Sequence, residues 1–107
     1  MNDCIFCKII SKEIPTNKLE FDDDLVMAFH DISPRAKTHI VIIPKKHLPT
    51  MKDVTPEDEP TMGRMLTVAS DLARKHELND YKLMISTGKG AGQEVFHVHL
   101  HLMSAPS

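Results

Sequence analysis

Apolar positions along the chain change their period several times, and each change marks an element. Ile5, Phe6, Ile9 and Ile10 fall at helical spacing, which predicts a short amphipathic helix over residues 4–12, closed by the Ile14-Pro15 dipeptide. Leu19 to Phe21 and Leu25 to Asp31 flank the turn-forming cluster Asp22-Asp23-Asp24, a pattern that predicts a β-hairpin. Ser33-Pro34 interrupts it. The β-branched run from Thr38 to Pro44 then predicts a central strand, ended by a residue with no N–H to give to a ladder. Met62, Met65, Leu66, Ala69, Leu72 and Ala73 recur every three or four positions, so one long helix is expected from Glu57 to Glu77, with Pro56 and Pro60 at its first turn. Two last strands, Tyr81 to Thr87 and Glu94 to Met103, enclose a loop in which Gly88, Gly90 and Gly92 allow positive φ or the close approach of a ligand. The order of elements predicts an α+β fold: a mostly antiparallel five-stranded sheet with one long and one short helix, both on one face.

Composition narrows the reading without choosing a function. At 107 residues, with no repeat or low-complexity tract, the chain is read as a single domain over 1–107. Hydrophobic residues at 41% and charged residues at 26% exclude the signature of disorder. A net charge of −2 gives no general attraction to nucleic acid or to anionic membranes, so neither is expected as a partner and any phosphate must be held locally. The opening residues lack a basic segment followed by an apolar stretch, and no apolar run approaches the roughly 18 residues of a spanning helix. A cytoplasmic protein is expected. Cys4 and Cys7, the only cysteines, would in a reducing compartment be two buried thiols or half of a metal site sooner than a structural disulfide.

The segment His97-Val98-His99-Leu100-His101-Leu102 carries the strongest chemical signal. In a strand of period two it sets three imidazoles on one face and three aliphatic side chains on the other. Adjacent imidazoles gain nothing by packing and repel one another once more than one is charged, so they point to chemistry. One such chemistry is a three-histidine metal site. Alternate residues of a strand lie roughly 6.5–7 Å apart on a nearly straight line, however, and tetrahedral coordination would need that line strongly bent. The other is a nucleophile with helpers: an imidazole with a pKa near 6.5 is largely neutral at pH 7, so one nitrogen can attack while a backbone acceptor fixes the proton on the other.

Gly92-Gln93-Glu94-Val95-Phe96 followed by these histidines resembles the signature of the histidine-triad family. Ala28-Phe-His-Asp-Ile-Ser-Pro34 and Thr38-His-Ile-Val-Ile-Ile-Pro-Lys-Lys-His47 resemble the nucleotide pocket of its phosphoramidase branch, Hint, and the resemblance covers nearly the whole chain. It implies a purine nucleoside phosphoramidase acting on purine nucleoside monophosphate derivatives. His99 would attack the α-phosphorus and be transiently nucleotidylated before water releases the monophosphate. His101, Gln93 and the backbone amides around Glu94 and Val95 would donate to the oxygens over which charge spreads, and His39 would support the triad together with His97. Asp31 would accept the ribose hydroxyls, and Ile5, Phe6, Ile9, Phe29, His30 and Ile32 would form the base pocket.

The resemblance also implies a homodimer in which the long helix and a strand edge of each subunit meet, and catalysis that requires no cofactor. Zinc-containing relatives complete the Cys-x-x-Cys pair with histidines at the positions of His47 and His97. A structural zinc on Cys4, Cys7, His47 and His97 therefore stands beside the option of two core thiols. Ser86 occupies the place of a usual asparagine on the phosphate side, and Glu94 that of a small hydroxyl residue in many eukaryotic members. The sequence also ends at Ser107, close after His101, where longer members carry a tail toward the partner's site. Leaving-group preference is therefore expected to differ. A dinucleoside polyphosphate hydrolase of the same superfamily, a non-catalytic nucleotide-binding regulator and a metal-binding protein without nucleotide chemistry are the rival readings, and the Phe-His-Asp-Ile-Ser-Pro segment favours the phosphoramidase.

Overall fold

Every residue of β3 (His39–Pro44) is buried, which fixes this strand in the middle of the molecule. Around it a computed structural model, which describes residues 4–105, sets five strands in the order β1-β2-β3-β5-β4, each neighbouring pair antiparallel. The other elements are α1 (Ile5–Ile10), β1 (Leu19–Asp22), β2 (Val26–His30), α2 (Glu59–Lys75), β4 (Tyr81–Met84) and β5 (Leu100–Ser104), with short 3₁₀ turns at Met51–Asp53, Pro56–Asp58 and Lys89–Ala91. Expectations placed on Met1 to Asp3 and on the last two residues lie outside the described residues. No helix among the described residues is long and apolar enough to cross a membrane.

The five-stranded α+β architecture is the one the hydrophobic pattern predicts, but the two helices do not share a face. Ile40 and Ile42 of β3 point with Val26, Ala28, Leu100 and Leu102 toward Met65, Val68, Ala69, Leu72 and Ala73 of α2. Val41 and Ile43 point with Met27 and Phe29 the other way, toward Phe6 and Ile9 of α1. Strands that are apolar on both faces need cover on both, and a single helical layer cannot give it. Burying one such Ile or Leu side chain contributes roughly 1.5–3 kcal/mol, so the short α1 is held to the sheet by its two buried residues rather than by helix propensity. On α2 the buried stripe runs through Val68, while Leu66, expected in it, is 53% exposed.

Element ends differ from the sequence reading for identifiable reasons. α1 stops at Ile10, and Lys12 turns the chain at φ 67° before the Ile14-Pro15 step is reached. β5 begins at Leu100, well after the expected Glu94. Continuing its register with β3 would set Val98 opposite Pro44, which has no N–H, and the Val98 amide donates instead to the Leu48 carbonyl at 2.7 Å. His97 and His99 therefore sit on an irregular approach to the strand, and only His101 lies within it. β4 ends at Met84, and the connection returns through Gly88 and Gly92, at φ 89° and 93°, a conformation other residues adopt at a cost.

Asp23 organises the β1–β2 turn. Its Oδ1 accepts from the amides of Leu25 and Val26, both at 2.9 Å, and its Oδ2 from Arg64 Nε of α2, also at 2.9 Å. Burial pushes this carboxyl up, yet the two amides and the guanidinium outweigh that and hold it below its ordinary 3.8. The stabilisation is thus complete above that ordinary value and is lost as the pH falls through the depressed one. Asp23→Ala is expected to cost about 1–2 kcal/mol at neutral pH, and the difference from the parent chain should shrink in acid; denaturant unfolding at both pH values measures it.

Candidate active site and metal centre

On the α1 face of the sheet a cavity of about 770 Å³ opens between α1, the end of β2 and the glycine loop. Such a volume suits a ligand of nucleotide size. Its apolar wall is Ile5, Phe6 and Ile9 from α1 with Phe29 from β2, and Ile32, 85% exposed, stands at its rim. Asp31, Ser86, Glu94 and Val95 border the opposite side together with His99 and His101. Twelve of the positions singled out in the sequence, spread from residue 5 to residue 101, therefore meet on one cavity, His30 among them. The His30 ring itself is turned to the α2 face, where its Nε2 lies 2.6 Å from Glu20, so it borders the cavity without offering that nitrogen to it.

Hydrogen bonds assign complementary roles to the two cavity imidazoles. His99 Nδ1 donates to the His97 carbonyl at 2.7 Å, so Nε2 keeps its lone pair. For His101 the sequence of bonds starts outside the triad: the Arg35 amide donates to His39 Nδ1 at 3.1 Å, which leaves the proton on His39 Nε2. That nitrogen donates to His101 Nδ1 at 2.8 Å, so the His101 proton resides on Nε2. A nucleophilic nitrogen and a donor thus stand side by side, with ring centroids 4.8 Å apart, and the Phe6 edge packs on His99 at 5.1 Å.

All four buried rings are held neutral at pH 7. Burial lowers the pKa of His99, the His97 carbonyl and Asp31 counteract, and Arg35 adds to the lowering. Burial, then the neighbouring His99 and His39, push His101 down to about 4. His39 is lowered chiefly by burial, against the pull of Asp31, whose Oδ2 lies 3.6 Å from its Nε2. The Asp31 Oδ1 accepts from the Ser33 amide at 2.7 Å and shapes the turn, so one carboxylate oxygen is structural and the other remains beside the histidines.

Gln93, expected to contact substrate, and His97, expected in the catalytic set, both stand outside the cavity. Gln93 is buried outside the cavity: its amide donates to the carbonyls of Pro49 and Val95, at 2.7 and 3.0 Å, and accepts from the Gly88 amide at 2.8 Å. With both N–H groups engaged it holds the glycine loop in place and offers no donor to phosphate. No hydrogen bond among the described residues uses the backbone amides of Glu94 or Val95, which leaves the loop's own N–H groups as donors. His97, fully buried, does not border the cavity either, because the chain bends before β5 begins; it acts on His99 through its carbonyl. Arg35 and Asn17, by contrast, were not singled out in the sequence and line the cavity. A lone cation or amide in a loop carries no pattern from which this could be read.

The ring of His97 faces a second cluster. Its Nε2 donates to the Pro44 carbonyl at 2.8 Å, leaving Nδ1 as a lone pair 3.4 Å from Cys4 Sγ, 3.6 Å from Cys7 Sγ and 3.1 Å from His47 Nδ1. Cys7 Sγ lies 3.2 Å from His47 Nδ1, and all four donor atoms fall within 4.8 Å of one another. The edges of a tetrahedron around zinc with two sulfur and two nitrogen ligands are about 3.3–3.8 Å. The donor set therefore fits zinc, with the Pro44 carbonyl orienting one ligand ring.

The family model described as "Scavenger mRNA decapping enzyme C-term binding" matches residues 3–107. The purine nucleoside phosphoramidase of Escherichia coli K12 is 48% identical over 103 residues, covering 94% of this chain and 86% of that protein. The chain belongs to the histidine-triad family. Within it the chain falls in the Hint-like branch, as the sequence motifs imply. Protein HitA of Neisseria gonorrhoeae is 43% identical over 99% of both chains. A crystal structure of a histidine-triad family hydrolase from Legionella pneumophila superposes with a TM-score of 0.93 at 42% identity, covering 98% of this chain and 95% of that one. The histidine-triad fold is thus common to chain and relatives.

Proposed function

We propose that this histidine-triad hydrolase cleaves purine nucleoside 5′-phosphoramidates and related adenylates at the α-phosphorus, through a nucleotidyl intermediate on His99. The observation that carries the reading is the paired tautomers: a lone pair on His99 Nε2 next to an N–H on His101 Nε2, both bordering the cavity. The base would lie against Ile5, Phe6, Ile9 and Phe29, and the ribose hydroxyls beside Asp31. His99 attacks phosphorus and the P–N bond breaks, the leaving amine taking a proton from solvent that the water attacking in the second step gives back. His101 Nε2–H and the amides of Glu94 and Val95 donate to the non-bridging oxygens, over which a loose transition state spreads its charge. Water then attacks the phosphorus of the intermediate and restores neutral His99.

The experiment is a side-by-side hydrolysis panel of adenosine and guanosine phosphoramidates, aminoacyl adenylates and diadenosine polyphosphates. The highest kcat/KM is expected on the P–N and acyl-phosphate substrates; a chain that turns over only the polyphosphates is the sister hydrolase instead.

We propose further that Cys4, Cys7, His47 and His97 hold one structural zinc. Four protein ligands leave no open position for water, so the ion would tie α1 to the segment after β3 and take no part in catalysis. Purified protein is expected to carry close to one zinc per chain. The Cys4→Ser/Cys7→Ser variant should carry none at these positions and melt at least about 5 °C lower. Because α1 supplies one wall of the cavity, its nucleotide KM should rise as well. Exposed Leu66 of α2 with Tyr81 and Leu83 of the edge strand β4 supports the homodimer, which sedimentation at micromolar concentration tests.

A further inference from the structure

On the α2 face, to which the His30 ring is turned, three donor groups from distant parts of the chain converge in a way the hydrolytic reading does not use. Glu20 comes from the edge strand β1, His30 from the end of β2 and His76 from the residue that caps the C-terminus of α2. Glu20 Oε2 lies 2.6 Å from His30 Nε2 and 3.0 Å from His76 Nε2, and one ligand atom from each residue falls within 4.8 Å of the others. The two imidazoles meet edge to face with centroids 5.7 Å apart. Their side chains are 21% and 26% exposed and that of Glu20 10%, so an ion can reach the group and water can complete its coordination.

We propose that Glu20, His30 and His76 form a second metal site, one that takes a divalent transition ion such as zinc, cobalt or nickel on two imidazoles and one carboxylate. Two nitrogen donors suit these ions and disfavour magnesium and calcium, which prefer oxygen throughout. Glu20 Oε1 accepts from Lys75 Nζ at 2.9 Å, which directs the carboxylate to bind through Oε2 alone and fixes its orientation from the second oxygen. When Nε2 of each ring takes the metal, the ring proton is carried on Nδ1. Three protein ligands leave positions open to solvent, unlike the closed cysteine–histidine set. The Lys75 charge beside the ion weakens it further, so the site is the weaker and more exchangeable of the two. By joining residues 20, 30 and 76, the ion would pin the end of α2 to the hairpin whose last residue adjoins Asp31.

The test is a cobalt(II) titration of the full chain and of His76→Asn, followed by calorimetry and by absorption, with the fold of the variant checked by circular dichroism. The parent chain is expected to bind one more equivalent than His76→Asn. That extra equivalent should lack the sulfur-to-cobalt charge-transfer bands of a thiolate site and show only the weaker ligand-field bands of nitrogen and oxygen ligands. Glu20→Gln is expected to lose the same equivalent, which guards against an effect peculiar to the helix cap. Equal stoichiometry in the parent chain and both variants overturns the proposal, and so does an extra equivalent that carries the thiolate bands. Because the comparison is a difference between proteins with the same cysteines, its outcome is independent of the hydrolytic reading and of what the cysteine site binds.

Discussion

Replacing His99 by Ala is expected to lower kcat for adenosine 5′-phosphoramidate hydrolysis by about 10⁴-fold or more, while AMP still binds with a Kd close to that of the parent chain. The size of the loss follows from what the side chain supplies. A nitrogen lone pair delivered next to phosphorus, already deprotonated because burial holds the ring neutral, replaces attack by a water that nothing activates. The binding half of the expectation follows from the cavity: its apolar wall comes from α1 and β2, and Asp31 stands on the turn after β2, so the His99 ring supplies none of these groups, although Phe6 packs on it. Rapid-quench kinetics and calorimetry measure the two halves separately, and a variant that loses both together has merely collapsed.

His101→Ala is expected to cost about 10²–10³-fold in kcat, in line with loss of one aligned donor to a developing oxyanion. KM should change far less, because the bond strengthens only as charge moves onto the oxygens. The His39 bond that fixes the His101 tautomer gives this prediction a second arm. His39→Ala leaves His101 in place yet removes the partner on Nδ1, and its kcat should fall about tenfold to a hundredfold. His101→Gln, which still presents an N–H, should recover part of the loss, whereas a purely packing role for His101 would make Gln no better than Ala.

Much of this arrangement was legible in the chain itself. The β-branched run into Pro44 marks the central strand because its composition admits burial on both faces, and the same proline explains why β5 starts at Leu100. What the hydrophobic period could not show is which helix covers which face, since the apolar stripes of α1 and α2 are alike in kind; only the two-sided apolarity of β2 and β3 holds the answer. At the site, alternation in His97-Val98-His99-Leu100-His101 correctly sends the three aliphatic side chains into the core and brings His99 and His101 to the cavity. It does not distinguish His97, because alternation presumes a continuous strand and the chain bends between Val95 and His97. Gln93 was misplaced for a related reason. An amide next to a glycine loop serves a ligand or the loop equally well, and only the three bonds at Gly88, Pro49 and Val95 decide between them.

The cysteine cluster and His99 are joined through one residue. His97 turns its ring Nδ1 to Cys4, Cys7 and His47 while its carbonyl fixes the proton on His99 Nδ1. A disturbance of the first set thus has a direct path to the second through a single backbone unit, without passing through the apolar core.

Double displacement at phosphorus on His99 would be recorded in the stereochemical course of hydrolysis. With a substrate chiral at the α-phosphorus and water of a distinct oxygen isotope, two successive in-line displacements return the original configuration. Net retention is expected; net inversion would mean that water attacks the substrate in one step and that no nucleotidyl-histidine forms.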